Sequence, residues 1–145
     1  MKWHSKCRYM ELPREYSAQD LARFHGHLGP YIVLGYRIGR YACENLSKNP
    51  FSLSARVYCS GTTPESCLAD GVQLGSGCTL GKGNIRVVLS DEVKCEFTTE
   101  GRHLMVTPKP FSLPEESDDY ELLIERYSEE MYRMDSAELF DVREL

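Results

Sequence analysis

Two imidazoles one residue apart are the first place where this chain could do chemistry. His25 and His27 flank Gly26 in the stretch R-F-H-G-H-L-G-P, just ahead of a long apolar run. Side chains two apart on a regular helix point in different directions, so from a helix they could not serve one ion. On a turn they can converge, and Gly26, Gly29 and Pro30 argue for a turn. Neutral imidazole is a ligand for zinc, nickel, copper and iron. The competing reading has one histidine capping the next helix and the other in solvent. His4 and His103 have no such context.

A second group lies at 64–74, P-E-S-C-L-A-D-G-V-Q-L. Cys67, Asp70 and Gly71 are three and four apart, which puts them on one face of a helix, with Gln73 nearby. A thiol and a carboxylate one turn apart are either a soft and a hard metal ligand or a nucleophile and its base. The plain alternative is a core cysteine beside a capping aspartate.

The third group is the loop G-S-G-C-T-L-G-K-G-N at 75–84. It fails the nucleotide-binding P-loop pattern: Ser76 stands where the first glycine should be, and Gly83 replaces the Ser or Thr after the lysine. It also runs into a strand rather than a helix. Its glycines could still turn amides inward as an anion nest, with Lys82 adding a point charge and Cys78 facing the same space. A tight connection explains the glycines equally well.

The elements that must position these groups follow from local signals. Ser17 with Asp20 three residues on predicts an N-cap and a near capping box for a first helix. Pro30 suits the first turn of a second helix, from Tyr31 to about Leu46. Leu34, Ile38, Ala42 and Leu46 recur there at helical spacing. Gly35 and Gly39 cost that helix about 1 kcal/mol each, which predicts another backbone close by. A strand is expected at Ala55–Cys59, then a helix at Glu65–Leu74 with Thr63 as N-cap and Pro64 in its first turn. Strands at Ile85–Leu89, Val93–Thr98 and Arg102–Thr107, the last two joined at Glu100-Gly101, predict an antiparallel meander. Pro108, Pro110 and Pro114 mark a linker. A tail helix from Ser117 carries the apolar stripe Tyr120, Ile124, Tyr127, Met131 and Met134, and a stub helix is expected near Ala137–Phe140. Helices, then strands, then helices argue for an α+β fold, helices packed on an antiparallel sheet with a helical C-terminal segment, rather than a parallel βαβ sheet.

Composition narrows the function classes. The 145 residues suit one domain with an appendage: a core over 1–114 and an acidic helical extension over 115–145 that packs on it or docks to a partner. The formal charge of -5 divides unevenly: 115–145 has twelve acidic and three basic residues, so the remainder is net basic. That body has no lysine or arginine cluster, which argues against nucleic acid and for a small anionic substrate. No apolar run approaches the roughly 20 residues that span a bilayer, and the first residues lack an apolar signal core, so the expected setting is the cytoplasm. Reduced thiols are then expected, and none of the six cysteines forms a C-x-x-C pair. Cys7, Cys43, Cys59 and Cys95 are expected to be buried small apolar groups.

Together, F-H-G-H-x-G-P from Phe24, C-x-x-D-x-x-Q from Cys67 and G-C-T-x-G-K-G-N from Gly77 resemble the FmdE family of formylmethanofuran dehydrogenase proteins. The resemblance runs from about Ser17 to Pro108, with Glu138, Leu139 and Phe140 similar to the family's helical end. It implies an α+β core, often dimeric, with a metal-binding site: His25, His27, Cys67 and Cys78 as candidate ligands, and zinc as the first candidate metal before nickel or iron. Cys67 and Asp70 would be the reactive pair, with Asp70 orienting a histidine or acting as base. Lys82, Thr79, Asn84 and Gln73 would hold a small anionic or carbonyl substrate. Members accompany a molybdenum or tungsten enzyme that reduces carbon dioxide to a formyl group on methanofuran, so molybdenum or tungsten enzyme subunits are candidate partners and one-carbon metabolism the expected field. Many members read F-H-G-H-x-C-P, and here Gly29 stands at the cysteine position. The cysteine-rich C-terminal zinc finger of some members has no counterpart in this sequence. Two further readings are a metal-free thiol enzyme, with Cys67 activated by His25 or His27, and a non-catalytic subunit or metal carrier.

Overall fold

The structure, a computed structural model, describes residues 7–10 and 12–145. His4 and the start of the expected 1–114 core lie outside them. Chain order is α1 (Ala18–His25), α2 (Pro30–Asn45), β1 (Ser54–Cys59), a 3-10 turn (Glu65–Cys67), α3 (Leu68–Ser76), β2 (Ile85–Leu89), β3 (Lys94–Thr99), β4 (Arg102–Pro108), α4 (Tyr120–Arg133), α5 (Ser136–Leu139) and β5 (Phe140–Glu144).

The local signals act as expected at the first two helices. The Ser17 hydroxyl accepts from the Asp20 amide and the Asp20 carboxylate accepts from the Ser17 amide, a complete capping box. Pro30 opens α2, where its missing N–H costs nothing. The Glu65–Leu74 segment differs: the Thr63-Pro64 bond is cis, and the chain makes a 3-10 turn before α3 begins at Leu68.

Gly35 and Gly39 mark a very close approach of two helices. A Cβ at Gly35 would lie 2.1 Å from the Leu68 carbonyl oxygen, and one at Gly39 2.8 Å from the Ser76 nitrogen. α3 answers with its own Gly71 and Gly75, so α2 and α3 touch backbone to backbone along two turns.

The five strands run in the order β2-β1-β3-β4-β5. The fold is α+β, as expected, but the sheet is mixed rather than antiparallel, and the meander is broken. β1 inserts between β2 and β3, pairing parallel with β2 and antiparallel with β3. The long connection through α3 makes this possible, since parallel neighbours need a crossover and not a hairpin. Burial agrees with the order: Ala55, Val57 and Cys59 of β1 are fully or nearly covered, whereas Val87 and Leu89 of edge strand β2 are 44% and 75% exposed.

One sheet face meets the helices. Val57 opposes Cys95, which opposes Val106, and Ala55, Phe97 and Leu104 form the next row. These six pack with Leu34, Ile38, Leu68 and Val72 in one core. On the other face Glu96 is buried, accepting from Arg56 and the Tyr58 hydroxyl and pairing with His103. His103 therefore has a structural partner that the sequence did not announce. Cys43, Cys59 and Cys95 are buried as expected, and Cys7 is exposed.

The C-terminal segment is not purely helical. Where the sequence signals predict only a stub helix ending at Phe140, the chain turns into β5, which adds to the sheet against β4. α4 begins at Tyr120 rather than beside Ser117 and packs on α2, with Ile124, Ser128 and Met131 its buried residues. Arg37 of α2 donates to the carbonyls of Met131 and Tyr132, satisfying the C-terminal end of α4. Tyr132 stacks on Tyr36 with ring centroids 5.9 Å apart. No helix among the described residues is long and apolar enough to cross a membrane.

Candidate functional site

α1 ends on Gly26, which takes φ 104 and closes the helix with its amide on the Ala22 carbonyl. A left-handed conformation is costly for side chains and open to glycine. The reversal there separates His25, the last helical residue, from His27, the first beyond it. Their ring centroids come to 5.0 Å. The expected turn is present and its effect is convergence.

α3 supplies the third group. His25 Nδ1 lies 2.6 Å from Asp70 Oδ2, across the seam between the end of α1 and the first turn of α3. The His25 side chain is 12% exposed and Asp70 38%. With Asp70 ionised, the bond places the proton on Nδ1 and leaves Nε2 with a lone pair in the neutral ring. A carboxylate behind an imidazole fixes both its orientation and its tautomer, an arrangement common behind metal-binding histidines.

The other expected ligands fare differently. Cys67 closes the 3-10 turn, and its thiol is held above its ordinary pKa first by burial and then by the Asp70 charge. Both effects keep it protonated, which weighs against a thiolate nucleophile. Asp70→Asn is expected to speed alkylation of Cys67 at pH 8, because the carboxylate that disfavours the thiolate is gone; mass-spectrometric labelling rates would check this. Cys78 does not face the histidines. It is fully buried in the core, its thiol donates to the Leu53 carbonyl at 3.3 Å, and burial raises its pKa. The apolar core claimed a small residue that the loop context had marked as a ligand.

The glycine loop is a closed knot rather than an anion nest. The Thr79 amide donates to Asn84 Oδ1, the Leu80 amide to Gln73 Oε1 and the Lys82 amide to Thr79 Oγ1. The Cys78 amide is taken by Ser76, and the Gly83 amide by the Thr79 and Leu80 carbonyls. Asn84 Nδ2 also donates to the carbonyls of Pro50 and Leu53. Gln73 Oε1, Thr79 Oγ1 and both side-chain polar atoms of Asn84, residues expected to bind substrate, thus help shape the loop. Of that set, Lys82 alone keeps a charged head at the surface.

Among the described residues no three His, Cys, Asp or Glu side chains stand close enough together to hold an ion. The four-ligand set of His25, His27, Cys67 and Cys78 is therefore not assembled. Gly29 accounts for part of the gap: a Cβ there would lie 3.0 Å from His27 Cε1, 3.7 Å from Nδ1 and 3.8 Å from Nε2. A side chain at position 29 would start beside the His27 ring, and glycine supplies none. What remains fits a smaller donor set, the free Nε2 of His25 with His27. Rings 5.0 Å apart are within the span of two imidazoles sharing one ion, given metal–nitrogen bonds of about 2.0–2.1 Å.

Fold and site together define an α+β domain with a carboxylate-backed histidine pair at a helix–helix seam. The family model described as "FmdE, Molybdenum formylmethanofuran dehydrogenase operon" matches residues 24–141, and the chain belongs to that family. The match takes in α4, α5 and the start of β5, beyond the reach of the three motifs. Over 69 residues the chain is 36% identical to a probable S-adenosyl-L-methionine-binding protein of Archaeoglobus fulgidus, covering 43% of this chain and 18% of that protein's length. The crystal structure of a tungsten formylmethanofuran dehydrogenase FmdE-like protein from Syntrophus aciditrophicus shares the fold, with a TM-score of 0.57 at 21% identity, over 90% of this chain and 73% of that one.

Proposed function

We propose that this chain is a metal-binding member of its family, holding one transition-metal ion through His25 Nε2 and His27, with Asp70 orienting His25. Zinc is the first candidate and nickel or iron the alternatives. The role we infer is accessory to a molybdenum or tungsten enzyme of one-carbon metabolism, in keeping with the family's description. The carrying observation is the 2.6 Å contact between His25 Nδ1 and Asp70, with the His27 ring alongside. A bound ion of this kind would polarise a carbonyl oxygen or lower the pKa of a bound water. The chain's own part is to fix the His25 ring and its tautomer, so that in the neutral ring Nε2 is the donor atom, which the Asp70 bond on Nδ1 does. The partly open set leaves coordination positions for water or substrate.

The test is zinc titration of tag-free protein against a competing chelator. One equivalent is expected to bind. His27→Ala should weaken binding by roughly tenfold or more, and Asp70→Asn by about 10- to 100-fold, the usual effect of losing the group behind a ligand. Wild-type affinity in both folded variants would refute the site. The thiol-enzyme reading loses support from the raised Cys67 pKa. A tail docked on a partner would draw on a stripe of which Ile124 and Met131 are already buried within this chain.

A further inference from the structure

A groove of about 360 Å3 opens between α1, α3 and the glycine loop, lined among others by Arg14, Phe24, Leu74, Gly77, Leu80 and Lys82. We propose that it binds a small carboxylate with a flat apolar body, the carboxylate held between Arg14 and Lys82 and the body lying on Phe24, Leu74 and Leu80.

The two cations are the first observation. Of the eleven arginines, four are in ion pairs with acidic side chains: Arg23 with Asp20, Arg40 with Glu44, Arg56 with Glu96 and Arg102 with Glu144. Arg14 and Lys82 have no such pair among the described residues, and no carboxylate lines the groove. The Arg14 guanidinium makes long contacts, 3.6 Å to Cys43 Sγ and 3.5 Å to the Lys48 carbonyl. Lys82 Nζ reaches Thr79 Oγ1 at 3.0 Å and sits 5.5 Å from the Phe51 ring centroid. Both line the same groove; burial first holds the Lys82 ammonium below its ordinary pKa, with Cys78 opposing the shift and Arg14 adding to it. Like charges brought together without a counter-charge cost folding energy, and an anion between them offsets that cost.

Gly77 is the second observation. A Cβ there would meet Arg14 Nε at 2.5 Å and Cζ at 2.9 Å, and the backbone holds φ +83. The guanidinium is therefore packed against Gly77, where any side chain would displace it, and it forms part of the groove wall.

The loop chemistry and the walls select the ligand class. Phosphate recognition of the usual kind uses free backbone amides, and those of Cys78, Thr79, Leu80, Lys82 and Gly83 are already spent within the loop. A planar guanidinium matches a carboxylate in two parallel bonds without amide help. Phe24 and Leu80 leave 56% and 81% of their surfaces exposed, an apolar platform beside the cations. Pockets of roughly 300 Å3 and upward accept small organic molecules.

The position ties the groove to the histidines. Phe24 precedes His25 in α1, and Leu74 lies one turn of α3 beyond Asp70. As a substrate pocket the groove rests on the functional reading above; as a binding site it does not.

The experiment separates the two. Full-length, EDTA-treated protein is titrated by two-dimensional amide NMR with sodium benzoate, benzamide and inorganic phosphate, so no metal enters the result. Benzoate is expected to shift the Gly77, Leu80, Gly81 and Lys82 amides saturably. Arg14→Gln and Lys82→Gln should each weaken it roughly tenfold or more, the scale of one charge-assisted bond. Benzamide, isosteric but neutral, should bind the wild type no more tightly than benzoate binds those variants. Both side chains lack ion pairs among the described residues, so the variants are expected to keep the wild-type spectrum away from the groove. Absence of saturable benzoate shifts, tighter binding of phosphate than of benzoate, or unchanged affinity in Arg14→Gln would overturn the proposal.

Discussion

Alanine at Gly71 is expected to destabilise the domain by about 3 kcal/mol or more, near the top of the range for overpacking. In an isolated helix the same change would stabilise by about 1 kcal/mol, so the expected sign is reversed by one tertiary contact. The new Cβ would lie 2.1 Å from the Ile32 carbonyl oxygen and 2.4 Å from the Tyr36 nitrogen. Both are backbone atoms inside α2, so no rotamer change relieves the clash and the helices must part. Gly35, Gly39 and Gly75 sit along the same seam and would be pulled out of register with it. The loss reaches the site as well, because α3 carries Asp70 and α1 carries His25. Urea unfolding measures the effect, with Gly81→Ala as the control, since a Cβ at Gly81 meets nothing within 4 Å. A midpoint for Gly71→Ala equal to that of wild type would contradict the backbone contact.

Cysteine at Gly29 should have the largest effect on metal binding, and in the direction of gain. Gly29 has φ -131, ordinary extended backbone that any residue adopts, so the change brings no backbone strain. The atoms nearest its Cβ are those of the His27 ring, 3.0 Å away at Cε1, and an exposed imidazole can shift by a few tenths of an ångström. The thiol then begins beside one imidazole and close to a second. A third, soft donor should raise zinc affinity roughly tenfold or more over wild type, and cobalt substitution should show the thiolate charge-transfer band. Gly29→Ser, similar in size with a harder donor, should gain much less. If Gly29→Cys binds zinc no better than wild type while remaining folded, the two histidines do not present a common site to position 29.

Some of this architecture is written in short windows of sequence. The Ser17–Asp20 box, Pro30 at the head of α2 and the turn at Gly26 each depend on residues within a few positions of one another, and each appears in place. Gly35 and Gly39 point to a close approach because glycine inside a helix carries a cost that something must justify. The partner is harder to name, since Gly71 and Gly75 resemble ordinary helix punctuation until α2 lies against them. Strand pairing goes beyond local reading altogether. Three strands in succession imply a meander, and only the insertion of β1 shows that its connection through α3 is a crossover. β5 is hidden for a similar reason: a short, mostly exposed strand has little pattern of its own and takes its identity from β4.

The site divides along the same line. Residue type and spacing alone pick out His25, His27 and Asp70, because a glycine between two histidines and a carboxylate on a helix face are local facts. They also point to the family through three motifs. Which side chains meet is a tertiary matter. Folding buries Cys78, ties Gln73, Thr79 and Asn84 into the glycine loop's hydrogen bonds, and brings Arg14 to the groove that Lys82 also lines, from a segment with no pattern to mark it. Backbone preference acts over a few residues and can be read from them, whereas burial and charge pairing depend on distances between segments that are far apart in the chain and become neighbours only when the core closes.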